Sequence, residues 1–336
     1  MNGPLAERPP GEWIVEDGIG ETRAALIEGE RIVEARILVH GTLTAGTVLE
    51  ARLVTRLPER DQGVVAWDGG EALLAPLPRA VTEGATLLVE ITRPALPEPG
   101  KPKRARARPA VRSAEPGPAP ALAETLDGMV RTAPPQGPDL LEDAGWSELL
   151  EEAATGRVAF ADGWLTISPT PAMTLIDVDG ECEPERLAVS GAAAAARATR
   201  RLDIGGSIGI DLPTVDDRRV RLTAAAAIDE ALAQPFERTA VNGFGFVQIV
   251  RRRSRLSLPE AYAEDAVAAH ARALVRKAER SRGRGERVLT AHPHVVARIE
   301  RAGWVAEIER RVGATLALRG DGGLAISAGH VQARFQ

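Results

Sequence analysis

Apolar and polar residues alternate through the first part of the chain. In "EWIVEDG" and "ETRAALIEGERIVEARILV" side chains fall on two faces with period two, the pattern of half-buried strands, and "EGE" supplies the turn between two of them. Shorter runs follow at "TVLEARLVTRL", "QGVVAWDGG", "EALLAPL" and "ATLLVEITR", each bounded by Gly, Pro or Asp. Short strands with close turns predict a hairpin followed by a small OB-like β-barrel over 12–93.

The pattern lapses over 94–121. "PALPEPGKPKRARARPAVRSAEPGPAPALAE" is rich in Pro, Ala and Arg and offers little to a core. It reads as a flexible linker with a basic centre at 101–112. Such a segment serves either as a solvated tether or as an arm whose Lys101 and arginines touch phosphates.

Periodicity returns with a longer repeat. "PDLLEDAGWSELLEEAATG" has helical spacing of Leu and Trp, and "GRVAFADGWLTIS" reads as a hairpin, together filling 122–168. Over 169–258 strands and helices alternate: "AMTLIDVDG", "PERLAVSGAAAAARATRRLD", "IGGSIGIDL", "DDRRVRLTAAAAIDEALAQP" and "GFGFVQIVRRRSRLSL". Alternation of this kind predicts an α/β domain with a mostly parallel sheet and helices packed on it. Residues 259–336 add a long helix, a strand–turn–helix at "RVLTAHPHVVARIE" and a hairpin around "GDGG", a small α/β module. The fold class is therefore mixed, β at the N-terminus and α/β beyond it.

Composition narrows the function classes. With 42 basic and 47 acidic residues the net charge is -5, so attraction to nucleic acid has to be local. Only Lys101, Lys103 and Lys277 are lysines. Arginine suits phosphate through its planar fork, although a biased genome gives the same Arg-rich composition. The single cysteine, Cys182, excludes an internal disulfide and a Cys-pair zinc site. No apolar leader or run of about 18 apolar residues occurs, so a cytoplasmic protein is expected.

The chemistry lies where apolar runs end in acid. "TLIDVDG" closes on Asp177 and Asp179, and "GGSIGIDLP" on Asp211. Residues two apart on a strand share a face, and in parallel sheets function gathers at the carboxyl ends of strands. Neighbouring strands would bring all three carboxylates together, a hard-donor set suited to Mg²⁺. The plainer reading is strand-end and helix-capping acids, a role expected of Asp203 and Asp216. His292 and His294 read as a surface turn, and Cys182 as a passive thiol.

"TLIDVDG", a helix, "RRLDIGGSIGIDLPTVDDRRVR" and "GFGFVQIVRRRSRLSL" resemble, in this order, the ribonuclease E/G family. The opening hairpin is similar to the one preceding that family's S1-type barrel. "LDGMVRTAPP" is similar to the segment of its 5′-end sensor, which would make 122–168 a reduced sensor and RNase H-like remnant. The resemblance implies a Mg²⁺-dependent endoribonuclease (Mn²⁺ as a substitute) acting on single-stranded RNA in processing or decay. It makes Asp177 and Asp211 the metal ligands and puts Asp179 in place of a supporting Asn. Arg251, Arg253, Arg131, Thr132 and Lys101 would contact RNA, Arg131 and Thr132 at a 5′-monophosphate. A homodimer is compatible with the resemblance, but not a zinc-linked one.

Departures from the family pattern favour competing readings. Val64 and Leu73 stand where the family's barrel has base-stacking aromatics, and the acidic "GECEPERLA" replaces an Arg-rich loop. A degenerate relative that binds RNA or a protein without cutting is the alternative; an unrelated metal-dependent phosphohydrolase is a third.

Overall fold

The computed structural model describes residues 11–96, 103–111 and 113–334; Lys101 lies outside them. The alternating N-terminus forms an antiparallel meander of β1 (Glu12–Asp17), β2 (Glu21–Glu28) and β3 (Arg31–Val39). Next, β4 (Val48–Leu57), β5 (Gln62–Trp67), β6 (Gly70–Leu74), β7 (Thr86–Arg93) and β8 (Ala105–Pro109) close into a barrel in the order β4-β5-β6-β8-β7. Leu53, Val65, Leu74, Val89 and Ile91 fill its interior.

The fifth barrel strand comes from the segment expected to be a linker. β8 lies parallel to β6 and antiparallel to β7, sealing an edge that would otherwise leave backbone groups unpaired. "ARARP" has a strand's alternation after all: Ala105 and Ala107 point inward, and Arg106 and Arg108 outward. Arg108 reaches Glu90 on β7 at 2.8 Å. The domain expected at 12–93 thus needs residues from beyond it to close.

β9 (Met129–Ala133) returns to pair parallel with β1, completing a four-stranded sheet of order β3-β2-β1-β9. Two helices follow, α1 (Leu140–Asp143) and α2 (Trp146–Thr155), with Trp146 fully buried. The chain then builds a six-stranded sheet from β10 (Arg157–Phe160), β11 (Gly163–Pro169), β12 (Thr174–Gly180), β13 (Gly206–Asp211), β14 (Phe236–Arg238) and β15 (Phe246–Arg251). Between β12 and β13 runs α3 (Pro184–Arg201); between β13 and β14 runs α4 (Arg218–Ala231). Residues 122–168 are therefore not a separate unit: β9 belongs to the first sheet, and β10 and β11 belong to the second.

This sheet has the order β10-β11-β12-β13-β15-β14, and only β12 and β13 are parallel, which corrects the expectation of a mostly parallel sheet. Within this sheet α3 is the crossover between the parallel neighbours β12 and β13. The edge hairpin of β14 and β15, reached through α4, turns β15 antiparallel to β13. One face of the sheet is covered by α3 and the other is open. The Ala-rich run makes α3 thin enough to lie close: an added Cβ at Gly191 would stand 2.4 Å from Val178 Cγ1. A continuous core joins Ile14, Ala25 and Ala35 of the first sheet, through buried alanines of α3, to Ile176, Ile208 and Ile249 of the second.

The long helix expected next breaks at Asp265, which caps the N–H of Ala268 and separates α5 (Leu258–Glu264) from α6 (Ala266–Glu279). β16 (Glu286–Ala291), α7 (Pro293–Arg301), α8 (Trp304–Val312), β17 (Leu316–Gly320) and β18 (His330–Arg334) complete the C-terminal module. β17 and β18 flank β16 on opposite sides instead of forming a hairpin, since the buried β16 needs a partner at each edge. Buried ion pairs bind this module to the first sheet. Glu21 meets Arg272 at 2.7 Å and also Arg276; Glu16 meets Arg23 at 3.0 Å and also Arg280. Among the described residues no helix is long and apolar enough to cross a membrane.

Candidate functional site

Asp177 and Asp211 form the last matched pair of the parallel β12–β13 ladder. The row continues on both sides, through Thr166 on β11 and Phe246 on β15. Ile176, Val178, Ile210 and Val247, the alternate residues, are buried toward the helices, so this row belongs to the open face. Adjacent strands lie about 4.8 Å apart, a spacing that lets one small cation touch a carboxylate oxygen from each.

Asp179 stands two residues farther along β12, beyond the end of the β13 ladder and opposite Trp164 on β11. Among the described residues no three His, Cys, Asp or Glu side chains converge as a metal-holding group. The expected triad is thus a matched pair with a third acid alongside. The coupling is still electrostatic: partial burial, then the negative charges of Asp179 and Asp211, push the Asp177 carboxyl above its usual range. No cationic side chain among the described residues pairs with any of the three. The donor chemistry fits a hard divalent cation, since two unneutralised carboxylates on neighbouring strands attract one.

The predicted arginines lie elsewhere. Because β15 runs antiparallel to β13, Phe246 faces Asp211 while Arg251 faces Gly206 at the other end, roughly 17 Å away at strand rise. In the parallel sheet expected from sequence, Arg251 and Arg253 would have stood beside the acids. Arg251 instead donates to the carbonyl of Ile204 at 3.0 Å, and Arg253 pairs with Glu260. Both line a cleft of about 460 Å³ between the sheet and the barrel, with Arg106 and Arg252. Arg131 and Thr132 are on β9 of the four-stranded sheet, as consecutive strand residues on opposite faces. Arg131 is paired with Glu12 at 3.1 Å.

Of the acids expected as caps, Asp203 is a left-handed residue paired with Arg255 after α3, and Asp217, not Asp216, caps α4. His292 caps α7, its Nδ1 accepting from the His294 N–H at 3.2 Å. Val64 and Leu73 are direct cross-strand partners on the barrel. A groove of about 1510 Å³ runs between the barrel and α5–α6 and holds none of the three acids; Leu73 and Trp67 line it.

Sequence reasoning passed over two aromatic residues at the acid end, Phe244 and Phe246. Their signal was present in "GFGF", where glycines bracket Phe in a chain with five Phe in all.

No family model matches the chain. Over 129 residues, 35% of the chain, it is 29% identical to ribonuclease G of Escherichia coli (strain K12), and equally so to ribonuclease G of Shigella flexneri. The match spans 26% of each relative's length. The chain is thus distantly similar to ribonuclease G over about a third of its length.

Proposed function

We propose that this protein is a metal-dependent endoribonuclease of the ribonuclease E/G type, acting on single-stranded RNA. The matched register of Asp177 and Asp211 carries the reading, and the distant similarity to ribonuclease G supports it. Asp177 and Asp211 would hold Mg²⁺ or Mn²⁺, and Asp179 would add negative charge that strengthens its attraction. A cation held there supplies Lewis-acid polarisation of a phosphoryl oxygen and a nucleophile at neutral pH. The chain's own part is to hold both carboxylates in matched register on a rigid ladder. The open sheet face admits the RNA backbone from the side away from α3.

Purified protein is expected to cut single-stranded RNA only with Mg²⁺ or Mn²⁺. Asp211→Asn should slow cutting about 100-fold or more, the scale of several kcal/mol of charge stabilisation. Equal cutting by wild type and variant would sink the mechanism.

A second reading, a relative that holds RNA without cutting it, draws on the exposed Glu181 and Glu183 after β12. These acids repel phosphate near the pair. RNA retention with no metal-dependent product would establish it.

A further inference from the structure

The turn that leads into β15 is built to display an aromatic ring beside the acids. Phe244 is 80% exposed, the most exposed of the large apolar residues described. It is not on a slack loop. Asn242 Oδ1 accepts from the N–H groups of Phe244 at 2.9 Å and Phe246 at 3.0 Å. Thr214 Oγ1 donates to the Phe244 carbonyl at 3.2 Å, and the Leu212 N–H to the Gly245 carbonyl at 3.2 Å. Gly245 has φ +86°, and a Cβ there would lie 2.1 Å from the Leu212 carbonyl oxygen. The turn is therefore clamped onto Leu212 and Thr214, just past Asp211.

Phe246, the next residue on the open face, is the register partner of Asp211. Its ring crosses β13 where that strand has no side chain: a Cβ on Gly209 would stand 2.6 Å from Phe246 Cζ and 3.0 Å from Leu175 Cδ2. Gly209 thus lets Phe246 and the exposed Leu175 lie side by side as a flat apolar strip next to the acidic pair. On the other flank, Trp164 has the Arg157 guanidinium 5.9 Å from its ring centre, so one of its faces is already used. Phe244 leaves its ring exposed, and Phe246 lies half-buried over Gly209.

We propose that Phe244 and Phe246 stack on the nucleobase adjoining the phosphodiester held at Asp177 and Asp211. The proposal rests on the ribonuclease reading and adds a binding element to it. A base is the fitting occupant because its π-face matches an exposed ring, while its phosphate requires the cation that the acids attract. Such a site selects single strands, since a duplex hides its base faces. It also places stacking on the sheet in a protein whose barrel carries Val64 and Leu73.

The test uses the full chain with all three acids intact and a single-stranded RNA oligonucleotide containing 2-aminopurine, in Ca²⁺, a hard cation that carboxylates hold, so that bound RNA is followed without Mg²⁺-driven cutting. Binding should quench the probe. Phe244→Ala should weaken affinity roughly 5- to 100-fold, as expected for loss of one stacked base, and abolish the quench. Phe244→Leu should behave like Ala, and Phe244→Trp should restore both signals. RNA bound with undiminished affinity and quench by Phe244→Ala would overturn the platform while leaving the ribonuclease reading intact; no RNA binding by the chain with its acids and Phe244 present would overturn both. Unchanged RNA affinity together with loss of self-association in Phe244→Ala would instead mark a protein contact and overturn the proposal.

Discussion

Asp177 and Asp211 face each other across the one parallel ladder of the six-stranded sheet, with Asp179 just past its end. Three carboxylates on one open face, unpaired with any described cation, repel one another. That repulsion, after partial burial, is why the Asp177 carboxyl titrates above its ordinary range.

Removing one charge should therefore stabilise the metal-free protein. A raised carboxyl pKa means the folded state disfavours the anion; the penalty is complete above the folded pKa and gone below the unfolded one. Asp177→Asn is expected to raise unfolding stability by about 0.5–1 kcal/mol at pH 7, the scale for like charges on paired strands. The gain should vanish near pH 3, where both forms are neutral. Urea titrations at the two pH values check this. With Mg²⁺ the order should reverse, since only the wild type gains from binding.

The acids were legible in the sequence because each closes an apolar strand run, and strand ends are readable from period and punctuation alone. The direction of a strand is not written in its own residues. "GFGFVQIVRRR" gives the same alternation whether it runs with β13 or against it. Its direction depends on how α4 and the edge hairpin return the chain. That one choice decides whether Phe246 or Arg251 stands beside Asp211. The barrel's fifth strand was hidden for a different reason: alanine and arginine suggest a solvated tether by composition, and only a neighbouring gap between β6 and β7 gives their alternation meaning.

That gap supplies a second prediction. Ala107 is buried between β6 and β7, so Ala107→Asp buries an unpaired carboxylate. It is expected to cost about 3 kcal/mol or more, or to unfold the barrel. Arg106→Asp, on the outward side of the same strand, should cost well under half of that. A free tether would tolerate both equally; urea unfolding with Trp67 emission distinguishes the cases.

Acid sensitivity should arise chiefly where the C-terminal module meets the first sheet. Burial alone would raise the Glu21 pKa, but Arg276 and Arg272 more than offset it and hold the carboxyl below its usual range. A lowered carboxylate pKa contributes stability above the unfolded value, lost as pH falls through the folded one. Melting temperature should therefore drop below about pH 4.5, beginning near the ordinary Glu value. Glu21→Gln should flatten that acid limb and cost about 3–5 kcal/mol at pH 7, because it leaves two buried guanidinium groups short of a partner. An unchanged acid limb in the variant would place the proton uptake elsewhere.

The basic cleft and the aromatic turn sit at opposite ends of β15, and their contributions to RNA binding should separate by salt. Arg106 and Arg252 are exposed where the barrel meets the sheet, so they are suited to phosphates alone. Neutralising either to Gln should weaken binding of single-stranded RNA equally for every base composition. It should also lower the slope of log affinity against log salt by about 0.7, one counterion-linked contact on a single strand. Phe244→Ala should do the reverse, weakening affinity at every salt concentration without altering the slope. Titrations of one oligonucleotide at three or four salt concentrations measure both. A slope that stays fixed in Arg106→Gln and Arg252→Gln alike would mean that RNA does not cross this cleft, leaving the open face as its whole track.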